Sequence, residues 1–316
     1  MSADTNQNMS QKRARPPQQD GVLVLDKPSG PTSTACLERI KRTLGQKKIG
    51  HAGTLDPLAN GVLVVLLGQA TKLAPYLTEG EKVYKGSLEL GTATDTYDSQ
   101  GEVVSTADWS HISEAEARAA VLAWLDDTSQ IVPPYSAAKH KGKALYALSR
   151  EGKEVPEKRK EIRISGAEVV SIDLPRIDFR VRCGAGTYIR SLVHSLGMRL
   201  GCGAYMTALT REHSHPFDLA EAHSLDDVLG EPEALAGRVL SLDRSLPHWP
   251  RHTLSERDAA LVKNGAQLEC GAEGDEADDQ GRIMFLSPQG EALALAQKAE
   301  RGGATVWALL RGLWRS

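Results

Sequence analysis

The hydrophobic positions change their spacing several times along the chain, and each change predicts an element. Gly21 to Lys27 (GVLVLDK) is an apolar run of strand length, cut off by Pro28, Gly30 and Pro31. Thr32 or Ser33 then caps a helix in which Leu37, Ile40 and Leu44 share a face, and Gly45 suits its C-terminus. Gly50 to Asn60 reads as a loop punctuated by glycine and proline, followed by a buried strand from Gly61 to Leu67. Between Lys82 and Leu90, Val83, Lys85, Ser87 and Glu89 alternate with Tyr84, Gly86, Leu88 and Leu90, which predicts a further strand. Ser113-Glu114-Ala115-Glu116 is a capping box opening a helix with Ala117, Ala120, Val121, Trp124 and Leu125 on one side. Ile177, Phe179, Val181 and Cys183 alternate with Asp178, Arg180 and Arg182, a half-buried strand. After Gly184 to Gly186 the period turns helical, with Ile189, Leu192, Val193, Leu196 and Leu200 as the stripe and Gly201 as the stop.

Strands and helices interleave irregularly, with no repeated βαβ unit, so the fold class is α+β with a mixed sheet. A boundary falls near Leu246-Pro247-His248-Trp249-Pro250. Beyond it, Arg282 to Leu286, Ala292 to Gln297 and Thr305 to Leu310 are short strand candidates within about seventy residues, the pattern of a compact β-rich module.

Composition narrows the classes. The 316 residues are 41% hydrophobic and 25% charged, an ordinary globular mixture. No apolar run approaches the ~18 residues that span a bilayer. The first twenty residues carry Lys12, Arg13 and Arg15 among polar residues and proline, which predicts a disordered basic arm rather than a secretory signal. Cys36, Cys183, Cys202 and Cys270 are scattered without a CxxC pair, as expected of a protein kept in a reducing cytosol. The net charge of -3 conceals two opposite regions. Glu269, Glu273, Asp275, Glu276, Asp278 and Asp279 crowd one. Lys139, His140, Lys141, Lys143, Arg150, Lys153, Lys158, Arg159, Lys160 and Arg163 crowd the other, interleaved with Tyr135, Tyr146 and several glutamates.

The densest chemical signal is His51-Ala52-Gly53-Thr54-Leu55-Asp56-Pro57-Leu58-Ala59-Asn60-Gly61, which presents an imidazole and a carboxylate on one irregular backbone. An isolated Asp-Pro commonly does no more than start a turn. Here it stands in order with Lys27-Pro28 (LDKPSGPTS), Tyr84 (VYKG) and Gly186-Thr187-Tyr188-Ile189-Arg190 (GTYIRS). Together these stretches resemble the TruB family of tRNA pseudouridine synthases, from about Gly21 to the C-terminus. The HAGTLDPLANG stretch is highly specific; the KP and GTYIR pieces are weak singly.

The resemblance implies a catalytic domain (residues 21–246) on a mixed, largely antiparallel sheet. It also implies a small C-terminal PUA-type RNA-binding module (residues 247–316), whose start ALVKNGAQL resembles. The reaction implied is conversion of uridine 55 in the tRNA T-loop to pseudouridine, with no cofactor and no metal. That fits a sequence with no Walker A motif, no GxGxxG after a strand and no spaced metal-ligand set. The scattered His213, His215 and His223 with Cys202 match no common zinc spacing.

By resemblance, Asp56 is the catalytic carboxylate. Burial disfavours an ionised carboxyl, and a neighbouring cation restores it; Arg190 is the family counterpart for that role, able to bind both oxygens. Tyr84 lies against the flipped base and is the candidate for removing the C5 proton. His51 contacts the substrate, Tyr188 and Leu209 line the uracil pocket, and Lys27 supports the loop. A base in a folded tRNA must leave its stack, at a cost of a few kcal/mol. The family's thumb insertion, matched here by residues 133–163 with Lys139, Lys141 and Lys143, grips phosphate to offset that cost.

Two departures stand out. Thr210-Arg211-Glu212 replaces consecutive arginines, which leaves one expected phosphate contact missing. The acid-rich stretch lies within the RNA-binding module, where only an exposed insertion facing away would avoid repelling the backbone. The expected partner is the T-arm of tRNA, with no membrane, no obligate protein partner and a monomer sufficing. An RNA-folding protein and a guide-RNA-dependent synthase subunit are the competing readings. The complete Asp56, Tyr84 and Arg190 set argues for an enzyme over a binder, and the GTLDP loop and thumb argue for a stand-alone one.

Overall fold

The computed structural model describes residues 17–136, 138–140, 142–151, 156–270 and 276–314. Residues 1–16 of the basic arm, Lys141, Lys153, Glu154, Glu273 and Asp275 lie outside the described residues, as do the side chains of Lys139, His140, Tyr146 and Arg150.

The chain opens with β1 (Gly21–Lys27), α1 (Ser33–Leu44), β2 (Ile49–Ala52), β3 (Asn60–Leu67), the short α2 (Ala74–Thr78) and β4 (Lys82–Leu90). A hairpin, β5 (Thr92–Thr94) and β6 (Val103–Thr106), leads through α3 (Glu114–Leu122) to β7 (Ser129–Ile131). The basic segment holds β8 (Lys139–His140), β9 (Lys143–Ala144), α4 (Leu145–Arg150) and β10 (Arg159–Glu161). Then come β11 (Ile164–Asp173), β12 (Arg176–Cys183), α5 (Ile189–Leu200) and β13 (Ala204–Ser214). Short pieces follow: β14 (Phe217–Asp218), β15 (His223–Ser224), α6 (Leu225–Gly230), α7 (Leu235–Arg238) and β16 (Val239–Leu240). The last part comprises β17 (Arg251–Thr253), α8 (Glu256–Lys263), β18 (Leu268–Glu269), β19 (Arg282–Leu286), β20 (Ala292–Arg301) and β21 (Ala304–Gly312).

The large sheet runs β11-β12-β4-β13-β3-β1-β15. Its β13–β3 and β1–β15 pairs are parallel and the others antiparallel, a mixed sheet in an α+β fold. The continuous apolar runs have a simple cause: the central strands are covered on both faces. Leu23 and Leu25 of β1 join the core beneath α1 and α5, while Val22 and Val24 join a second core with Trp249, Met284, Leu295 and Leu313. The C-terminal module therefore packs on the back of the strands that carry the Asp56 loop. Its own sheet runs β17-β19-β20-β21-β18 around a small core that includes Ile283, Phe285 and Trp307.

Local signals explain the helix ends. Thr32 caps α1 by accepting from the Ala35 amide at 3.0 Å, and Gly45 closes it in the left-handed conformation. The capping box at Ser113 and Glu116 forms as expected. Three expectations change. Leu125 does not join the apolar stripe of α3: the helix tightens into a 3-10 turn over Ala123–Asp126, and Leu125 is turned out to 48% exposure. Gly50, His51 and Ala52 are not loop but β2, paired with β3, with Ala52 fully buried behind the sheet. The acid-rich stretch is not uniformly exposed, for the half-buried Asp278 turns its side chain into an ion pair with Arg282 at 2.8 Å, itself stacked over Trp249.

Candidate active site

The loop from Gly53 to Ala59 crosses from β2 to β3, and two buried cations hold its backbone. Lys27, at the end of β1, is fully buried and donates from Nζ to the carbonyls of Pro28 (2.8 Å), Ala59 (2.7 Å) and Pro57 (3.4 Å). Arg211, on β13 and 1% exposed, donates from Nε to Val62 O at 2.7 Å, and from its Nη atoms to Gly53 O (3.1 Å) and Thr54 O (3.5 Å). A buried cation without such acceptors would cost several kcal/mol, so the carbonyls fix where each side chain sits. Burial holds the Lys27 ammonium below the usual lysine range. Ser33 exchanges two hydrogen bonds with the Leu55 peptide, both 2.9 Å. Gly61, with φ +96°, lets β3 pass against β13: a Cβ there would sit 2.4 Å from Arg211 O.

This frame presents Asp56 to the N-terminal turn of α5. Arg190 donates from Nε to one Asp56 oxygen at 2.8 Å and from Nη2 to the other at 3.0 Å, a bidentate pair. Arg190 is 4% exposed and is itself fixed by Thr96 O (2.8 Å) and Tyr135 O (3.1 Å). The Asp56 side chain keeps 35% of its surface, so the carboxylate is clamped from behind and open in front. A second, buried carboxylate, Asp98, lies 3.6 Å from Arg190 Nε and accepts from Thr96 Oγ1 (2.7 Å) and the Gln100 amide (3.0 Å). Gln130 of β7 accepts at Oε1 from the Tyr188 backbone N–H (2.6 Å) and donates from Nε2 to the Tyr188 carbonyl (3.1 Å), which sets the start of α5.

In front of Asp56 lies a cavity of about 230 Å³ lined by Tyr84, Tyr188, Leu209, Lys82 and Arg211 among others. A dry cavity of roughly 150 Å³ admits benzene, so this one has room for a planar six-membered ring. Burial pushes the Tyr84 phenol up, and the Arg211 guanidinium beside it acts the other way. Burial also raises the Tyr188 phenol. Lys82 is 4% exposed, and burial first, then Arg211, lowers its ammonium to about 8.

Of the residues singled out from sequence, Asp56, Tyr84, Tyr188 and Leu209 face the cavity, and Arg190 stands behind Asp56. His51 is half-buried on β2 and does not line it; burial, then Arg211, lowers its imidazole. In the basic segment Lys143 is exposed, 3.7 Å from Glu151, and Ser136 reaches the cavity. Arg211 is no phosphate contact, because it is buried under the loop, and Glu212 pairs with Arg180 at 2.8 Å. His213 binds Asp218 at 2.7 Å, and among the described residues no group of three or more His, Cys, Asp or Glu is placed to hold a metal.

Sequence reasoning missed Asp98, Gln130, Lys82 and the inward turn of Arg211. Only Asp98 carried a local signal, the short polar run Asp95-Thr96-Tyr97-Asp98 that suits a self-bonded turn.

Comparison with known proteins supplies the rest. Residues 41–189 match the TruB family pseudouridylate synthase N-terminal domain, and residues 190–246 match the tRNA pseudouridylate synthase B C-terminal domain. The chain is 58% identical over 303 residues to the tRNA pseudouridine synthase B of Oleidesulfovibrio alaskensis, covering 95% of this chain and 98% of that one. It is 56% identical over 303 residues to the protein of that name from Nitratidesulfovibrio vulgaris Hildenborough, covering 95% and 99%. The crystal structure of a Cbf5-Nop10-Gar1 complex aligns with a TM-score of 0.68 over 94% of this chain and 85% of that one. At 24% identity that likeness speaks for the fold alone. By these matches the chain belongs to the TruB family of pseudouridylate synthases.

Proposed function

We propose that this enzyme converts uridine 55 in the T-loop of tRNA to pseudouridine, with Asp56 acting on a base flipped into the cavity. The observation that carries the proposal is the bidentate Asp56–Arg190 pair at the mouth of a ring-sized cavity. The pair keeps the carboxylate charged and aimed while its front stays open to a reacting carbon. Net chemistry is an isomerisation. The C1′–N1 bond breaks, the ring turns, a C1′–C5 bond forms, C5 loses its proton and N1 gains one.

Tyr84 and Leu209 sandwich the ring in this reading, with Tyr188 along its edge. Tyr84 takes the C5 proton; burial works against the ionised form this requires, and Arg211 beside the phenol oxygen offsets part of that cost. His51, which does not line the cavity, contacts the nucleotide and helps to extrude and hold it. Residues 21–246 form the catalytic domain, residues 133–163 the thumb that binds phosphate through Lys139, Lys141 and Lys143, and residues 247–316 a PUA-type module for the rest of the tRNA. The enzyme acts in the cytoplasm as a monomer without cofactor. No helix among the described residues is long and apolar enough to cross a membrane.

The test is Asp56→Asn, assayed by tritium release from C5-labelled uridine in a T-arm hairpin. The variant is expected to bind the hairpin as wild type does and to release no tritium; turnover near the wild-type rate would remove Asp56 from its role. Opening the tRNA elbow precedes chemistry, so any assistance to tRNA folding should survive in this variant.

A further inference from the structure

The cavity contains more positive than negative charge. Asp56 and Asp98 both face Arg190, so these three groups carry one net negative charge. Arg211 and Lys82 also line the cavity, and among the described residues neither forms an ion pair with a carboxylate. Arg211 spends three of its five N–H donors on the carbonyls of Val62, Gly53 and Thr54 and lies beside the Tyr84 phenol. Lys82 is placed differently. It begins β4 two residues before Tyr84, is 4% exposed, and donates from Nζ to the carbonyls of Thr78 and Gly80. An ammonium has three donors, and these two bonds leave one on a residue that forms part of the cavity wall.

The reaction creates negative charge in that cavity. When the C1′–N1 bond breaks, its electron pair stays on the ring and spreads over N1, O2 and O4. If Asp56 instead adds to C6 of the ring first, the C5=C6 pair moves through C5 onto O4. On either route the pyrimidine becomes anionic before the new C–C bond forms. A cation already in place, desolvated and held by backbone, lowers the energy of that state without having to reorganise.

We propose that Lys82 is a further catalytic residue, donating its remaining N–H to a uracil oxygen as the ring becomes anionic. This rests on the reading of the cavity as the seat of a flipped uridine. The alternative anion, a phosphate of the flipped nucleotide, would be present before and after reaction alike. Contact with it would aid binding rather than the chemical step.

The surroundings make the role pH-dependent. The groups facing the ammonium are Arg211 on β13, Cys183 on β12 and Glu79 in the turn before β4, with His215 of the β13–β14 turn also near. Burial and Arg211 lower Lys82 to about 8, while burial raises Cys183 to about 11. The working form is the protonated one. Turnover should therefore hold below pH 8 and fall as pH rises through it.

The experiment compares wild type, Lys82→Gln and Lys82→Arg by tritium release from the T-arm hairpin, over pH 6 to 10 and several salt concentrations. Glutamine keeps a donor for the Thr78 and Gly80 carbonyls but carries no charge. Lys82→Gln is expected to lower kcat by on the order of 100-fold, with KM within about threefold of wild type. Lys82→Arg is expected to recover much of kcat and to lose the fall near pH 8, since arginine stays protonated.

A raised KM with unchanged kcat and a shallower salt dependence would overturn the proposal in favour of phosphate. So would a Lys82→Gln enzyme with wild-type kcat, or both variants equally inactive with equally lowered melting temperatures. No tritium release from wild type would overturn the uridine reading itself, a result separable from any failure of Lys82 alone.

Discussion

The surroundings of the Asp56 loop and the basic segment from 133 to 163 both contain cations, yet they use them in opposite ways. Around the loop, Lys27 and Arg211 are 0% and 1% exposed and spend their donors on backbone carbonyls. In the basic segment, Lys143 and Arg159 keep 59% and 68% of their side-chain surface in contact with solvent, with glutamates at 3.7 and 3.4 Å. Surface pairs of that kind contribute little to stability and exchange readily for another anion. The first region uses charge to build geometry, and the second holds charge available for a polyanion. Where they meet, at Tyr135 and Gln130, the segment's base is tied to Arg190 and to the start of α5. The placement of the basic segment and the aim of Asp56 are thus mechanically linked.

The sharpest way to break this contrast is to remove the cation common to both sides. Arg190→Met leaves Asp98 buried without its cation and strips Asp56 of both donors. The expected loss in single-turnover rate is at least on the order of 1,000-fold. Stability should fall by about 3 kcal/mol, most of it from Asp98, because Asp56 is partly solvated. Denaturant unfolding beside single-turnover kinetics would check both numbers. Intact stability would mean that water already compensates Asp98.

A smaller effect is expected from Lys27→Met. The side chain has similar length but leaves the carbonyls of Pro28, Pro57 and Ala59 without their donor. The cost should be about 1–3 kcal/mol, and kcat should fall by roughly tenfold as the loop loses its alignment. KM for the hairpin should hardly move, since Lys27 is fully buried and touches no solvent. A rise in KM alone would place Lys27 with the RNA-binding cations instead.

Where periodicity is strong, the elements were legible in the sequence. The alternation over Ile177–Cys183 and the stripe from Ile189 to Leu196 appear as β12 and α5 with those residues buried. His51 was read as loop because β2 has only four residues, one of them glycine, and its pairing with β3 is a long-range fact. Arg211 carries no mark of burial in the sequence, because a charged residue on a strand normally faces water. Its inward turn depends on carbonyls supplied by residues about 150 positions earlier in the chain. Asp98 lies between the two strands of a hairpin, where no periodicity marks which polar side chain is buried. Asp56, Tyr84, Tyr188 and Leu209 were found through resemblance, and spacing alone would not have brought them to one cavity.

The smallest structural effect, and the cleanest separation of the two regions, is expected from replacing Lys139, Lys141 and Lys143 together with glutamine. Lys143 is exposed, and exposed substitutions of this kind shift stability by about 0.5 kcal/mol or less. Unfolding curves should therefore overlay wild type. Binding should not: each lost phosphate contact lowers the slope of log affinity against log salt by about 0.7–0.9. At saturating hairpin the single-turnover rate should stay near wild type, because Asp56 and Arg190 are held by each other and by the carbonyls of Thr96 and Tyr135. If instead the rate falls while the salt slope is unchanged, the segment's cations act on the aim of Asp56 through Tyr135 rather than on RNA, and the division between building and gripping charge fails.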